Sequence, residues 1–388
     1  MAKKKKKEPE KPVNLGSLFT TLNAQYGAQT MVPASQIRYD PPRLPTGIFA
    51  LDFAAGGGLP LHGSTCAWGP DQGGKSRITI AAMRIASMIC WRCFNLLETC
   101  TCHKPKPMKS VLVDIEGTTD AQWLEACGVP KDSYYYILCD SGEQYVNVSE
   151  SVLRADDCGL LVVDSLAALV PESEFDAPME QEFMALQARL IGRAVKRIKQ
   201  RLIRERKKDH ACTVLFTNQM RMKVGVSFGD PEVMPGGFSM KHEFSLLVRI
   251  AKKMLDKNGT DAKYINEVYN KAMASRHSFA LKKEKIATLA GAGEFIVVKE
   301  SIPELELEKG MIDDYGSVLK FGKELGIIVK DDAAKVWRVN VNGKKMKAAK
   351  QDDLKLYWKK NFPVYLATQQ AIIQAAKGAR HGGGSCQM

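Results

Sequence analysis

The chain has 388 residues, which is enough to bury a large core and to form more than one domain. Hydrophobic residues make up 45% of it and charged residues 26%, and no apolar run approaches the ~20 residues of a membrane span, which argues against a membrane protein. The formal net charge of +13 favours polyanionic partners, and ten cysteines without a secretory signal predict a reducing, cytoplasmic location.

The first 45 residues are predicted to form an extension ahead of the main domain. The lysine run Lys3 to Lys7 has no apolar segment after it, so it is not a signal peptide. We interpret it as a solvated tail or as a non-specific tether for nucleic acid. Leu15 to Tyr26 is predicted as a short amphipathic helix, and a proline-rich linker, Pro33 to Pro45, leads into the main domain.

The most informative motif is G-x-x-x-x-G-K-S, the Walker A loop that wraps a nucleotide's phosphates. It is spelled by Gly69, Pro70, Asp71, Gln72, Gly73, Gly74, Lys75 and Ser76. Glycines let backbone N–H groups converge on anionic oxygens, Lys75 is expected to reach the β- and γ-phosphates, and Ser76 to ligate Mg²⁺. A glycine turn that happens to end in Lys-Ser is the alternative. The predicted strand at Thr65 to Trp68 and the predicted helix at Ile78 to Ile89 place the motif where phosphate binding needs it.

Short apolar runs alternate with helical patterns through residues 46–308, which predicts an α/β domain with a mostly parallel, twisted sheet. The predicted buried parallel strands are Val111 to Asp114, Tyr135 to Leu138, Leu160 to Val163 and Thr213 to Phe216. Asp164 ends one of them and fits a Walker B carboxylate that holds Mg²⁺. Glu116 follows another strand end, where it could act as a general base or stand as an exposed loop glutamate.

Two segments indicate contact with nucleic acid. Met220 to Met240 is rich in glycine and proline yet carries apolar side chains, which is typical of a functional loop or of a buried protein interface. Arg221 and Lys223 could contact a phosphate backbone, and Val224 and Phe228 could stack on bases. Upstream, a long helix from Met184 to Lys208 carries a basic face that either binds DNA or is merely solvated. Ahead of it, residues 172–183 are predicted as an irregular loop.

Residues 90–109 form a cysteine-rich insertion between the Walker A helix and the next strand. Cys90, Cys93, Cys100 and Cys102 have the spacing C-x2-C-x6-C-x-C. Four closely spaced thiols predict a small structural Zn²⁺ site, with free thiols or disulfides as the alternatives.

Taken together, these motifs resemble those of RecA-family DNA recombinases, the group that includes bacterial RecA and phage UvsX proteins, over roughly residues 15–375. The resemblance implies a RecA-like P-loop ATPase core with a short N-terminal polymerisation helix and a small α+β C-terminal domain at residues 309–377 that gathers duplex DNA, with lysines that include Lys344, Lys345 and Lys347. Residues 378–388 are expected to be a disordered tail.

The same resemblance assigns roles to individual residues. It implies that Glu116 is the general base, that Asp120 and Trp123 contact adenine, and that Gln219 senses the γ-phosphate. Lys283 and Lys285 would reach a neighbouring subunit's ATP. The implied DNA contacts lie on the helix and on the second DNA-binding loop: Met184, Arg189, Lys196, Arg221, Met222, Lys223, Val224, Ser227, Phe228, Gly236 and Gly237.

The activity implied by the resemblance is ATP-dependent homologous pairing and strand exchange by a helical filament on single-stranded DNA. ATP and Mg²⁺ would be the cofactors, single- and double-stranded DNA the partners, and the nucleoid of a bacterial or phage-infected cell the location. A hexameric helicase or RadA-type branch-migration motor is the alternative, and a binding module without hydrolysis is a third. The chain departs from the family in the insertion at 90–109, in a first DNA-binding loop without the usual glycines, and at His242, where bacterial RecA has an aromatic.

Overall fold

The computed structural model describes residues 14–27, 30–36, 41–175, 177–178, 184–206, 212–222, 232–236, 238–256, 258–266, 271–284, 288–341 and 344–382. The α-helices are α1 (Leu15–Tyr26), α2 (Phe49–Ala54), α3 (Lys75–Ala86), α4 (Ala121–Ala126), α5 (Gly142–Val152), α6 (Glu172–Phe175), α7 (Met184–Arg206), α8 (Tyr315–Glu324), α9 (Gln351–Lys360) and α10 (Phe362–Gly382).

The strands are β1 (Arg43–Leu44), β2 (Leu59–Pro60), β3 (Ser64–Gly69), β4 (Lys109–Asp114), β5 (Tyr134–Ile137), β6 (Cys158–Asp164), β7 (Thr213–Gln219), β8 (Arg221–Met222), β9 (Glu232–Val233), β10 (Leu246–Lys253), β11 (Ile265–Asn266), β12 (Lys271–Ala272), β13 (Ala274–Glu284), β14 (Ala292–Val298), β15 (Ile312–Asp313), β16 (Ile328–Asp331), β17 (Val336–Val341) and β18 (Lys344–Ala348).

Within the described residues, a nine-stranded sheet runs in the order β15-β14-β13-β10-β3-β7-β6-β4-β5. The six strands from β10 to β5 are parallel, and β13 to β15 add an antiparallel edge. This confirms the mostly parallel α/β core. The central strands read as continuous apolar runs because helices cover both faces. Helix α3 packs on one face through Ile78 and Met83, and α7 packs on the other through Ile191 and Val195.

The prediction that all four apolar strands are buried was wrong for β5. This strand is the outer edge of the sheet, and Tyr135 and Tyr136 are 62% and 41% exposed. A short aromatic run does not distinguish a central strand from an edge strand, because both satisfy the same backbone pattern.

Helices α8 to α10 and the sheet β16-β17-β18 form a C-terminal unit that is fastened to the core by Asp314. Its carboxylate accepts hydrogen bonds from the backbone N–H of Phe49, at 2.7 Å, and from the Tyr365 hydroxyl. Full burial raises the pKa of Asp314 to about 7. The core itself runs beyond both predicted boundaries, because β1 pairs with β2 and β15 pairs with β14.

Two predicted irregular segments are partly helical. Helix α10 continues through 378–382, which were assigned to a disordered tail, since alanines on both sides favour the helix over the cost of Gly378. Residues 383–388 lie outside the described residues. Helix α6 forms one turn at the start of the predicted irregular loop at 172–183.

Helix α1 has the predicted bounds and is capped by Asn14, whose side chain accepts a hydrogen bond from the Ser17 N–H at 2.8 Å. None of its residues is buried, and Leu15 and Tyr26 are 72% and 62% exposed. Across the described part of the chain, no helix combines the length and apolar character that a bilayer span requires.

Candidate nucleotide-binding site

The phosphate loop joins β3 to α3, as the motif predicts. Gly69 leaves no room for a side chain, because a Cβ there would lie 1.9 Å from the Ile250 carbonyl oxygen. Gly74 has a φ of 105°, and a Cβ would lie 2.6 Å from His277 Nδ1. His277 Nδ1 is 2.7 Å from the Gly73 carbonyl, so this nitrogen donates, while Nε2 lies 2.8 Å from the Ser275 hydroxyl. The loop is therefore held in shape by the start of β13.

Lys75, Ser76 and Asp164 meet at the base of this loop. Lys75 Nζ donates to the carbonyls of Gly69 and Pro70 at 3.2 and 2.9 Å, and burial lowers its pKa. Ser76 Oγ donates to Asp164 Oδ2 at 3.1 Å. Burial, followed by the nearby Glu116 charge, raises the pKa of Asp164, although a hydrogen bond from Thr217 opposes this rise. A hydroxyl and a carboxylate beside a phosphate loop are the oxygen donors that Mg²⁺ takes together with phosphate oxygens, so these residues fit the ion.

Glu116 stands between the nucleotide loop and the end of β7. Its Oε1 atom accepts a hydrogen bond from Ser165 Oγ at 2.5 Å and lies 3.5 Å from Gln219 Nε2. The Glu116 side chain is exposed, so water can reach its carboxylate. The structure thus brings together Glu116 and Gln219, which the sequence placed 103 positions apart.

Asp114 fixes the loop that carries Glu116. Its two carboxylate oxygens accept hydrogen bonds from the N–H groups of Gly117 and Thr119, both at 2.9 Å, and from the Tyr136 hydroxyl at 2.8 Å. Burial alone would raise the pKa of Asp114, but the hydrogen bonds from Thr119 and Tyr136 hold it below its ordinary value. Asp114 therefore positions the loop as a charged carboxylate, a role that the sequence did not reveal.

Sequence reasoning missed the cations on the far side of the phosphate loop. A pocket of about 310 Å³ is lined by Gln72 to Arg77 and by Lys252, Ser275, His277 and Lys299. Burial, followed by the charges of Lys252 and Arg77, lowers the pKa of Lys299, since positive groups cluster here. By contrast, the next residue in β10, Lys253, is paired with Glu294.

The predicted adenine contacts are not among the residues that line this pocket. Asp120 caps α4 by accepting the Gln122 N–H at 2.9 Å, and Trp123 packs against the core. The Arg77 guanidinium lies 4.0 Å from the centre of the Trp123 ring, which connects this aromatic to the pocket wall.

Comparison with known proteins identifies the family of this chain. The family described as the RecA N-terminal domain matches residues 14–294. The chain belongs to the RecA family. It is 30% identical over 325 residues to the mitochondrial DNA repair protein recA homolog of Dictyostelium discoideum, covering 84% of this chain and 60% of that protein.

Bacterial RecA proteins match at similar levels. Protein RecA of Tropheryma whipplei is 32% identical over 282 residues, which are 72% of this chain and 59% of the relative. Protein RecA of Geobacter sulfurreducens is 30% identical over 327 residues, which are 81% of this chain and 86% of the relative. This chain thus spans about 60% of the length of the Dictyostelium and Tropheryma proteins.

In this RecA-family chain, the basic face of α7 is open to solvent. Arg189, Arg193 and Lys196 are exposed, and none has an ion-pair partner among the described residues. Their neighbours differ, because Arg197 pairs with Glu150 and Lys199 with Glu243 at 2.6 Å. Met184, the first residue of α7, is 70% exposed. Arg189 and Lys196, which the resemblance assigned to DNA, therefore have no ion-pair partner in the part of the chain that the structure describes.

The two ends of the loop that was predicted to bind DNA pair with each other as short antiparallel strands. Arg221 and Met222 of β8 are exposed and pair with Val233 and Glu232 of β9. Gly236, a predicted DNA contact, is instead buried with a φ of 103°, where a Cβ would lie 2.6 Å from both an Ile191 and a Met240 atom. Its close packing explains the glycine. Lys223, Val224, Ser227, Phe228 and Gly237 lie outside the described residues.

Lys283 lies far from the phosphate loop of its own chain. Its amine donates to the Lys241 carbonyl at 2.9 Å. Strand β13 runs antiparallel to β10, so its first residues, including His277, meet the phosphate loop and its last residues lie at the opposite end of the sheet. Lys285 lies outside the described residues. The four cysteines of the insertion do come together: their sulfur atoms all lie within 4.8 Å of one another.

Proposed function

We propose that this protein is an ATP-dependent recombinase that assembles as a filament on single-stranded DNA and catalyses homologous pairing and strand exchange. The proposal is supported by family membership, by the nucleotide site around Lys75, Ser76 and Asp164, and by the exposed cations of α7. Its site of action would be the cytoplasm, in association with the nucleoid, where DNA is the partner.

The observation that carries the proposal is the contact between Glu116 and Gln219. Glu116, whose side chain is exposed, would accept a proton from an attacking water, as a general base does. Gln219 ends β7 directly before the β8–β9 hairpin, so one amide touches the catalytic carboxylate and begins the segment proposed to grip DNA. A movement of Glu116 in response to the γ-phosphate would shift Gln219 and, through it, the β8–β9 hairpin. Such coupling is what a DNA-dependent ATPase requires.

The cofactors of the proposed reaction are ATP and Mg²⁺, and a structural Zn²⁺ ion belongs to the cysteine insertion. Bound Mg²⁺ supplies positive charge that stabilises the transferring phosphoryl group. Lys75 orients the phosphates, and Ser76 and Asp164 hold the ion. Lys252, Lys299 and Arg77 add positive charge to the same pocket. Asp120 and Trp123 are proposed to contact adenine from the Arg77 side.

The filament proposal rests on two features that are incomplete in a single chain. Lys283 lies at the opposite end of the sheet from its own phosphate loop, so we assign it, with Lys285, to the ATP of a neighbouring subunit. Helix α1 buries none of its residues against the described part of its own chain, and its apolar residues Leu15 and Leu18 are exposed. Burial of α1 on the next subunit would remove this apolar surface from water. The C-terminal unit, residues 314–382, is assigned to capture of duplex DNA through its lysines.

A D-loop assay tests the proposal directly. Purified protein, ATP, Mg²⁺ and a single-stranded oligonucleotide are expected to form joint molecules with a homologous supercoiled plasmid but not with a heterologous one. Joint molecules should not form without ATP or with the Lys75→Ala variant. Absence of homology-dependent joint molecules, together with single-strand-stimulated ATP hydrolysis, would refute strand exchange and favour a helicase or branch-migration motor. Negative-stain images provide an independent readout, because filaments support the proposal and closed rings contradict it.

A further inference from the structure

The cysteine insertion contains a compact group of four thiols. The sulfur atoms of Cys90, Cys93, Cys100 and Cys102 all lie within 4.8 Å of one another, and those of Cys93 and Cys100 are 3.4 Å apart. None of the four forms a disulfide. A tetrahedral ion with metal–sulfur bonds of about 2.3 Å places its four sulfurs about 3.8 Å apart. The observed cluster therefore has the size of a four-thiolate metal site.

The backbone is folded to point these sulfurs inward. Around Cys90, the Phe94 N–H donates to the Cys90 carbonyl at 2.9 Å, and the Cys90 N–H donates to the Asn95 carbonyl at 2.8 Å. Phe94 adopts a φ of 61°, a left-handed conformation that closes this turn. The backbone N–H groups of Arg92 and Cys93 lie near the Cys90 sulfur. Such donors stabilise a thiolate that also binds a metal.

The second pair of cysteines repeats the arrangement on the other side. The Cys102 N–H lies 3.4 Å from the Cys100 sulfur, and Lys104 has a φ of 55°. His103 is exposed and does not belong to the cluster. Two turns thus present two sulfurs each, and no carboxylate takes part among these ligand atoms. An all-thiolate set selects Zn²⁺ over Mg²⁺ or Ca²⁺.

The turns are joined to the core by a short stem in which residues 88–91 pair with residues 95–97 on one side and with residues 106–108 on the other. Ile89 pairs with Leu96, and Cys90 pairs with Pro107. The Met108 N–H donates to the Ile89 carbonyl at 2.9 Å, and Ile89, Leu96 and Met108 are buried against the main core. Beyond this stem, the insertion exposes mainly polar and charged side chains. It is too small to be held by an apolar core of its own.

The geometry points to a structural Zn²⁺ ion bound by Cys90, Cys93, Cys100 and Cys102, which fastens the C-terminal end of the phosphate-loop helix α3 to strand β4. Four thiolates fill a tetrahedral shell and leave no position for a reacting water, so the ion is structural. Its ligands come from the segment that links α3, which begins at Lys75, to β4, which ends at Asp114. This site does not depend on the proposed recombinase activity, because neither ATP nor DNA takes part in it.

The first test uses the wild-type chain. Protein purified without chelators from zinc-supplemented medium is expected to contain about one zinc atom per chain by mass spectrometry. A mercurial thiol reagent should release that zinc as the thiols react. Cells grown with Co²⁺ in place of zinc should yield protein with the visible absorption of a tetrahedral cobalt–thiolate site. A chain without zinc, a chain that carries iron instead, or a thiol titration that reveals disulfides among the four cysteines would overturn the inference.

Variants locate the ion. The double substitution C93S/C100S should lose the zinc, whereas C139S, which changes a half-buried cysteine outside the cluster, should keep it. Zinc retained by the double variant would overturn the assignment. If the double variant does not fold, the cobalt spectrum of the wild-type chain decides, because it requires no substitution.

Discussion

The substitution Glu116→Gln removes the proposed general base and can leave the hydrogen bonds around this side chain in place. Glutamine keeps an acceptor at Oε1, so the hydrogen bond from Ser165 and the contact with Gln219 can persist. Losing the charge-assisted character of these bonds costs about 1 kcal/mol of stability. Losing a general base costs about 10²- to 10⁴-fold in rate, which corresponds to about 3–5 kcal/mol of activation free energy. The kcat for ATP should therefore fall far more than the stability of the chain.

The assay is steady-state ATP hydrolysis with saturating single-stranded DNA, together with binding of a fluorescent ATP analogue. We expect Glu116→Gln to lower kcat by at least about 10²-fold while nucleotide affinity stays within about threefold. The matched control is Glu125→Gln, which removes a half-buried carboxylate paired with Lys131 at 2.9 Å and should leave kcat unchanged. A Glu116→Gln variant with nearly wild-type kcat would refute the assignment of Glu116 as the base.

Three further predictions concern charges that the structure places. The double substitution Lys252→Ala/Lys299→Ala should weaken ATP binding about 5- to 30-fold in a titration. The control Lys253→Ala, at the next residue of β10, should not weaken it, because Lys253 is paired with Glu294. The double substitution Arg193→Glu/Lys196→Glu should weaken single-stranded DNA binding. It should also make the slope of log binding constant against log salt concentration shallower by about 1.4, since each lost phosphate contact removes about 0.7. An unchanged slope would show that α7 does not contact the DNA. Burial raises the pKa of Asp314 to about 7, so the folded chain retains a proton there that the unfolded chain releases near the ordinary aspartate pKa of 3.8. Unfolding free energy should therefore fall as pH rises through this interval, and Asp314→Asn should make the fall shallower in denaturant titrations.

The strand and the helix that flank the phosphate loop could be predicted from the sequence because they follow from local patterns. A glycine-rich loop between an apolar run and a helical pattern leaves few alternatives, and β3 and α3 formed where expected. The exposure of β5 could not be predicted, because its aromatic run has the same pattern at an edge as at the centre. Helix α10 also ran past its expected end, since Gly378 weakens a helix by only about 1 kcal/mol.

The candidate site was predicted best where one motif carries several residues, and least where distant strands meet. Lys75, Ser76 and Asp164 came from such motifs, and the structure brings them together. His277 and Lys299 reach the phosphate loop only through the antiparallel register of β10, β13 and β14, which no short motif records. For that reason the pocket cations could be recognised only from the folded chain.

The position of Lys283 would let contact between neighbouring chains control ATP hydrolysis. Six positions of β13 separate Lys283 from His277, which contacts the phosphate loop, and at about 3.3 Å per residue this distance approaches 20 Å. A lysine side chain cannot cover that distance, so a single chain lacks this cation at its own nucleotide. If a neighbour's Lys283 supplies it, each ATP becomes fully surrounded only when two chains are stacked, and stacking is what a shared DNA strand promotes. Stimulation of ATP hydrolysis by DNA would then follow from assembly itself, in addition to any signal through Gln219.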